Sequence, residues 1–382
     1  MKVLMLGWEF PPHAVGGLGS HTYGLVSALV KLGVKVDLVL PFKDYTKVKG
    51  VDFSFVYVDI HTKTYAHKSP EKGDAALYAD VLNDVETYTD SAVRLGLSKS
   101  FDIIHANDWL TARAGIELKH RTDKPLVLTM HSTEYDRTIG HPWDNIILEE
   151  KHAVENADVV VAVSRRLKEQ LIKFYGADPK KIHVVYNAVD RSKFHPGPDK
   201  RCEKVVLYAG RLSIQKGVDH LIRAFKIVAD QEKRAVLYIV GEGTELKTLI
   251  ELSIDLGLSD RIFFFGHVPD DEMEYLYSIA SVFVMPSVSE PFGITALEAV
   301  ASRTPTIVSV QSGVSEVLKN VFKVDFWDAQ VMADVILGIL RYPGIGDIMA
   351  EEAYLELRNV RWEDSAQKFR DIYKKLIYER HV

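Results

Sequence analysis

The chain has a single cysteine, Cys202, among 382 residues, which excludes an intrachain disulfide. It has no surplus of positive charge. With 47 Lys and Arg against 53 Asp and Glu, the formal net charge is −6, so nothing attracts it globally to nucleic acid or to an anionic membrane, and any phosphate binding must be local. No apolar run reaches the roughly 18 residues of a membrane span. The N-terminal KVLMLG runs into Trp8 and Glu9 and reads as a strand rather than a secretory leader; the expectation is a cytoplasmic protein. There is no D-x-D motif and no His/Cys cluster at metal-ligand spacing, so neither a metal nor a bound cofactor is expected. Low-complexity tracts and short-period repeats are also lacking.

What is present is apolar residue in quantity, 47% of the chain, enough for two buried cores at a length that suggests two domains. Short β-rich runs alternate with amphipathic helical stretches, the pattern of parallel sheets covered by helices on both faces. The alternation occurs twice. VLMLGWEF, VKVDLVLPF, FDIIHAND, PLVLTMHS, DVVVAVS and KIHVVYN read as one sheet; VVLYAGRL, RAVLYIVGEG, RIFFFGHV, SVFVMPSV and TPTIVSV read as a second. Between them RSKFHPGPDKRCEK, polar with two prolines and a glycine, is the best linker. The expected fold class is therefore α/β, with Rossmann-like domains over 1–192 and 203–360.

The most informative stretch is Ser289 to Ala299, SEPFGITALEA. It follows a buried-strand run, so Glu290 falls in the loop beyond the strand's carboxyl end, where open α/β sheets place ligands. Pro291 and Gly293 break the strand, and the pattern beyond is helical, leaving backbone N–H groups near Phe292, Gly293, Ile294 and Thr295 free to meet a pyrophosphate. Glu298, on the face of Thr295, suits ribose hydroxyls and would repel phosphate. A second glycine turn, Gly16-Gly17-Leu18-Gly19, lets backbone approach a ligand ahead of another helix. Its spacing is not G-x-G-x-x-G, and only Asp37 stands about twenty residues on, so a nicotinamide site is a poor reading. In AGRLSIQKG, Arg211 offers a fork and Lys216 a point charge to phosphate oxygens, both side chains expected to stand exposed in an open cleft. His105 and Asp108 in HANDW and His131 in TMHS close two further strands. Gly241 in VGEG and His267 in GHV are glycine corners suited to base and ribose.

Taken together, SEPFGITALEA and G-R-x4-K-G resemble the signatures of the retaining GT-B glycosyltransferases of family four and the related glycogen synthases, over nearly the whole chain and least over 43–100. Ala14 stands where glycogen synthases often carry lysine, and Asn187-Ala188-Val189-Asp190 is similar to the family's N-G-V-D. The resemblance implies two Rossmann-like domains facing across a cleft, the first on the acceptor side and the second on the nucleotide-sugar donor side, with the last helix, 361–382, packed back on the first. It implies that Glu290, His131, Arg211, Lys216 and Asp108 form the catalytic group, that Asp108 and His131 sit by the transferred sugar, and that the stereochemistry is retained. It also implies an ADP-, UDP- or GDP-sugar substrate and a saccharide acceptor, with a hexose, glucose first, as the sugar moved.

A lipid acceptor is the alternative, but it wants a basic amphipathic helix, and LYADVLNDVETYTDSAVRLGL is acidic. Tyr45, Tyr57, Tyr65, Tyr78 and Tyr88 with His61 and His67 could stack on sugar faces or simply pack. From other classes, a sugar-nucleotide epimerase and a catalytically silent sugar-nucleotide binding module stay open.

Overall fold

The computed structural model describes residues 1–13, 16–56, 58, 75–196 and 204–380, without the side chains of 75–79 and 270. Cys202, Ala14, half of the linker, and Tyr57, His61, Tyr65 and His67 lie outside the described residues, as does the side chain of Tyr78.

Thirteen parallel strands form two sheets among the described residues. The first comprises β1 (Lys2–Leu6), β2 (Lys35–Leu40), β3 (Val51–Phe55), β4 (Ile103–Asn107), β5 (Leu126–Met130), β6 (Val159–Ala162) and β7 (Ile182–Val184), in spatial order β3-β2-β1-β4-β5-β6-β7. The second comprises β8 (Lys204–Ala209), β9 (Ala235–Val240), β10 (Ile262–Gly266), β11 (Val282–Met285), β12 (Thr306–Ser309) and β13 (Phe322–Val324), in order β10-β9-β8-β11-β12-β13. Each sheet thus gains one strand over the sequence reading. Both additions, β3 and β13, are edge strands with partly exposed side chains, so they lack the continuous apolar run that marks a central strand.

Central strands are mostly apolar because helices cover both faces; His105 and Asn107 on β4 are buried polar exceptions. Val3, Leu4, Met5, Leu6, Ile103, Ile104, Val127 and Leu128 have no exposed surface, and each such side chain contributes roughly 1.5–3 kcal/mol of burial. The helix Val218–Gln231 shows the complementary pattern. Its Val218, Leu221, Ile222, Phe225 and Val228 recur at helical spacing and are buried.

In both sheets the strand order reverses once, between β1 and β4 and between β8 and β11. Loops leaving these strands open a crevice at the carboxyl edge, the usual ligand position in such sheets. Gly16 and Asp108 follow β1 and β4; Arg211, Lys216 and Glu290 follow β8 and β11.

The last helix, Trp362–Glu379, packs on elements of the first sheet. Its Trp362 ring lies so near Gly24 that a Cβ there would meet it at 2.2 Å, Tyr373 Oη is 2.6 Å from His105 Nδ1, and Ser365 Oγ donates to the Tyr186 carbonyl at 2.7 Å. The two halves also meet directly. Glu316 follows β12, and its carboxylate accepts from the Arg165 and Arg166 amides at 2.9 Å each, satisfying N–H groups that the helix Arg165–Tyr175 leaves open.

Candidate active site

Gly293 begins the helix Ile294–Ala301 at φ 109°, a left-handed value that glycine adopts without strain. The first turn has neither a side-chain cap nor an acidic residue. The helix Gly17–Lys31 likewise starts at Gly16 with no side-chain cap and no acid in its first turn. These two helix starts face one another across the halves. A Cβ on Gly17 would lie 3.6 Å from Ile294 Cδ1, and one on Gly16 only 3.1 Å from Arg211 Nη2. Each helix start carries about half a positive charge, so both converge with Arg211 on one small volume.

Lys216 ends a short turn, Ile214–Lys216. Its Nζ donates to Glu290 Oε2 at 2.6 Å, and Ser287 Oγ donates to the same oxygen at 3.2 Å. From sequence, Arg211 and Lys216 were expected to stand exposed in an open cleft. Instead the Lys216 side chain is 21% exposed and Arg211 is partly buried, because the Glu290 carboxylate and the Gly16 turn close upon them. An ammonium has three donors, so the Glu290 contact leaves donors for phosphate.

Glu290 is itself positioned from the other half. Its neighbour Ser289 donates through Oγ to Asp136 Oδ1 at 2.5 Å and receives Arg166 Nη2 at 3.2 Å. Asp136 is completely buried, and Gln170 Nε2 donates to the same Asp136 oxygen at 2.8 Å. Neither Asp136 nor Arg166 was found from sequence, since no local pattern announces partners 153 and 123 residues away.

Glu298, one turn into its helix, accepts from the Tyr277 hydroxyl at 3.0 Å. Thr295 Oγ1 has a weak 3.9 Å contact to Met285 Sδ. Phe292 is 2% exposed with its ring stacked 6.1 Å from Tyr186, so packing holds the side chain and only backbone is left to meet a donor. Gly241 gives its N–H to the Gly266 carbonyl at 2.8 Å and presses against Gly210; it ties two loops together, and its N–H is already engaged. His267, one residue past Gly266, is exposed.

The first half contributes a different surface. Asp108 caps the helix Trp109–Thr122 by accepting from the Trp109 amide at 3.0 Å, with φ 63° and ψ 172°, a costly backbone for a residue with Cβ. Burial pushes its carboxyl up to about 7, against the opposing pull of Arg137. His131 Nε2 is 3.4 Å from Asn107 Oδ1, and its ring is 4.4 Å from that of His21. Burial, followed by the neighbouring histidines, holds His131 well below the usual imidazole range. His21 is lowered to about 4 by burial and meets Asn187 Oδ1 at 2.6 Å through Nδ1. His105 is a packing residue: fully buried, lowered to about 3, its nitrogens engaged by Tyr373 and by Thr129 at 2.7 Å. Tyr45 stacks on Phe53 at 4.2 Å, and buried Tyr88 packs on Trp8. Sequence reasoning passed over His21, although four residues after Gly17 is one helical turn behind the proposed anion site.

Residues 15–193 match the family model described as Glycosyltransferase Family 4, and residues 190–355 match Glycosyl transferases group 1. A curated relative from Methanocaldococcus jannaschii, Uncharacterized glycosyltransferase MJ1607, is 34% identical over 343 residues, 84% of this chain and 83% of its own. The chain belongs to the family-four glycosyltransferases. A glycogen synthase of Mycobacterium tuberculosis is 30% identical over 84% of this glycosyltransferase and 80% of its own length. Among solved structures, sucrose-phosphate synthase from Thermosynechococcus elongatus superposes with a TM-score of 0.85 at 22% identity, over 99% of both chains. The fold of this glycosyltransferase is GT-B. Among the described residues, no helix is long and apolar enough to cross a membrane, and no group of three or more His, Cys, Asp or Glu could hold a metal ion.

Proposed function

We propose that this glycosyltransferase moves a hexosyl unit, glucose first, from a nucleoside diphosphate sugar to a saccharide hydroxyl with retention at the anomeric carbon. The observation that carries the reading is the meeting of two uncapped helix starts with Arg211, Lys216 and Glu290. Arg211, Lys216 and two half charges supply about three positive charges, and Glu290 offsets one, which suits a diphosphate whose negative charge grows as it leaves.

In this reading the bond from the anomeric carbon to the phosphate oxygen breaks as the acceptor oxygen bonds to the same face of that carbon. The acceptor's proton passes to the departing phosphate oxygen, giving a nucleoside diphosphate and a new glycoside. Arg211, Lys216 and the helix amides stabilise the leaving charge. Glu290 stands beside the sugar and stabilises the positive charge that develops there. Asp108 and His131 form the sugar's other wall, with the buried imidazole neutral.

The test is thermal shift with ADP-, UDP- and GDP-sugars, followed by transfer assays with the base that binds and NMR of the product anomer. Inverted product would overturn the stereochemistry. A protein stabilised by none of the three nucleotides would overturn the donor reading.

A further inference from the structure

Two kinds of tether hold the Glu290 loop, and they come from different halves. Its backbone belongs to the second: the Glu290 N–H donates to the Gln311 carbonyl at 3.1 Å, the Glu290 carbonyl accepts from Gly313 at 2.9 Å, and the Val288 N–H donates to the Gln215 carbonyl at 2.9 Å. The path of the chain is thus set without the first half. Lys216 and Ser287, also of the second half, both donate to Oε2 of the Glu290 side chain, and a carboxylate held at one oxygen can still pivot about it. The other tether is the Ser289 hydroxyl, which crosses to Asp136 and Arg166.

Asp136 is seated by its own half. Its Oδ2 accepts from the Thr133 N–H at 3.0 Å and the Thr133 hydroxyl at 2.8 Å, next to the capping box of the helix Glu134–Arg137, and its Oδ1 accepts from Gln170 at 2.8 Å. Ser289 then supplies a donor from the second half at 2.5 Å, a short contact of the kind a hydroxyl makes with a carboxylate. Arg166 fixes the sense of that bond: its Nη2 donates to Ser289 Oγ at 3.2 Å, so the one hydroxyl proton points to Asp136. With Asp136 completely buried and Ser289 7% exposed, water does not compete for it. Asp136 also stands five residues after His131 in the chain. One buried hydrogen bond therefore links the loop of His131 to the loop of Glu290, the residues proposed to face the sugar from opposite halves.

We propose that Asp136 is a positioning residue for transfer: through Ser289 it removes the pivot of the Glu290 carboxylate and sets it against the sugar once the halves have met. Its complete burial keeps it from contact with either substrate. The proposal rests on the glycosyl-transfer reading above and separates turnover from binding within it. A donor held by the second half alone meets a Glu290 that is not yet set, so loss of the bond lowers kcat and leaves donor affinity.

The experiment is steady-state kinetics of the full chain with whichever of ADP-, UDP- or GDP-glucose it uses and maltotriose as acceptor. Wild type is compared with Ser289→Ala, with Asp136→Asn, with the two together, and with Ser289→Ala in a Glu290→Gln background. Ser289→Ala leaves Asp136 its first-half donors, so its melting temperature and its thermal shift with nucleoside diphosphate are expected to persist. Its kcat is expected to fall about tenfold or more with donor KM changed by less than about threefold, as for a lost hydrogen bond that matters in the transition state. The pair is expected to lose no more than Asp136→Asn alone, and Ser289→Ala to lose less than about threefold more once Glu290 is already replaced, because residues that act through one group are not additive. Near-normal kcat in Ser289→Ala, a loss confined to KM, or additive losses in either combination overturns the assignment. A wild type that none of the three nucleotide sugars stabilises or serves overturns the glycosyl-transfer reading on which it rests, a result seen before any substitution is made and so distinguishable from failure of the positioning role.

Discussion

The carboxyl edges of the two sheets reach the same crevice by opposite electrostatic means. The first presents buried groups held near neutrality: His21 and His131 with imidazoles kept uncharged by burial, and Asp108 with its carboxyl raised to about 7. The second presents full charges, Lys216 against Glu290 at 2.6 Å with Arg211 beside them. Exposure alone does not separate them, since Asp108 and Glu290 are buried alike at 6% and 8%; the close opposite charge on the second wall does. Where helices and the returning C-terminal helix exclude water, the charged form of a side chain is penalised; on the second wall Lys216 and Glu290 face one another as an ion pair. A transferred sugar is neutral and a leaving diphosphate is not, so each wall matches the part of the donor assigned to it.

The strongest way to break this comparison is to discharge the second wall. Lys216→Ala or Arg211→Ala should lower turnover by about two to four orders of magnitude, as expected for losing a preorganised charge stabiliser, with circular dichroism and melting temperature preserved. Near-normal turnover in either variant would show that the diphosphate lies elsewhere. Next in size is the contrast between two glutamates. Glu298→Gln should raise donor KM about ten- to a hundredfold, for a charged hydrogen bond of roughly 1.5–3 kcal/mol, with kcat little changed. Glu290→Gln should depress kcat at least tenfold with donor affinity nearly intact. The reverse pattern in steady-state kinetics and donor titration would mean the nucleotide is turned end for end.

Smaller effects probe how the first wall is kept dry. A Cβ at Gly24 meets the Trp362 ring, so Gly24→Ala should overpack the seat of the last helix and cost about 1–3 kcal/mol, read by urea unfolding; an unchanged midpoint would show that the helix does not depend on that fit. The buried titrating groups predict a pH slope. His21 and His105 titrate at about 4 and 3 when folded against 6.5 unfolded, and His131 is lowered in the same direction. In the window between about 4 and 6.5 the unfolded chain therefore binds more protons at these sites, and stability rises with pH. Asp108 and Glu150 are raised and act oppositely, because there the folded chain holds the proton. His183 is lowered as well, so the lowered histidines outnumber the two raised carboxyls and the net slope is upward with pH. His105→Gln should flatten that slope, and an unaltered slope between pH 5 and 6 would contradict the assignment. The smallest expected effect is none at all: single-turnover transfer should survive EDTA, since in the proposed donor pose two cations and two helix starts face the leaving group. Loss of transfer on chelation, restored by one divalent ion, would contradict this.

The residues proposed to face phosphate were legible because each lies in a short local pattern. A strand, a glycine break and a helix start suffice to place Glu290, Gly293 and the first-turn amides, and G-R-x4-K-G does the same for Arg211 and Lys216. Edge strands β3 and β13 were not legible, since a half-exposed strand of three to five residues carries little periodicity. His21 could have been read from its spacing to Gly17. Asp136, which holds Ser289 from 153 residues away, could not.

By itself the sequence determined the alternation of strands and helices, the glycine breaks at the carboxyl ends of β1 and β11, and the residue types proposed to meet phosphate, because all of these depend on local periodicity and backbone freedom. Tertiary structure alone decided which loops share a crevice. It turned Lys216 from a solvated side chain into the partner of Glu290 and set Asp136 of one half against Ser289 of the other. It also buried His105 as packing. The physical reason is that burial and long-range pairing belong to the packed chain as a whole, and no window of sequence contains both partners.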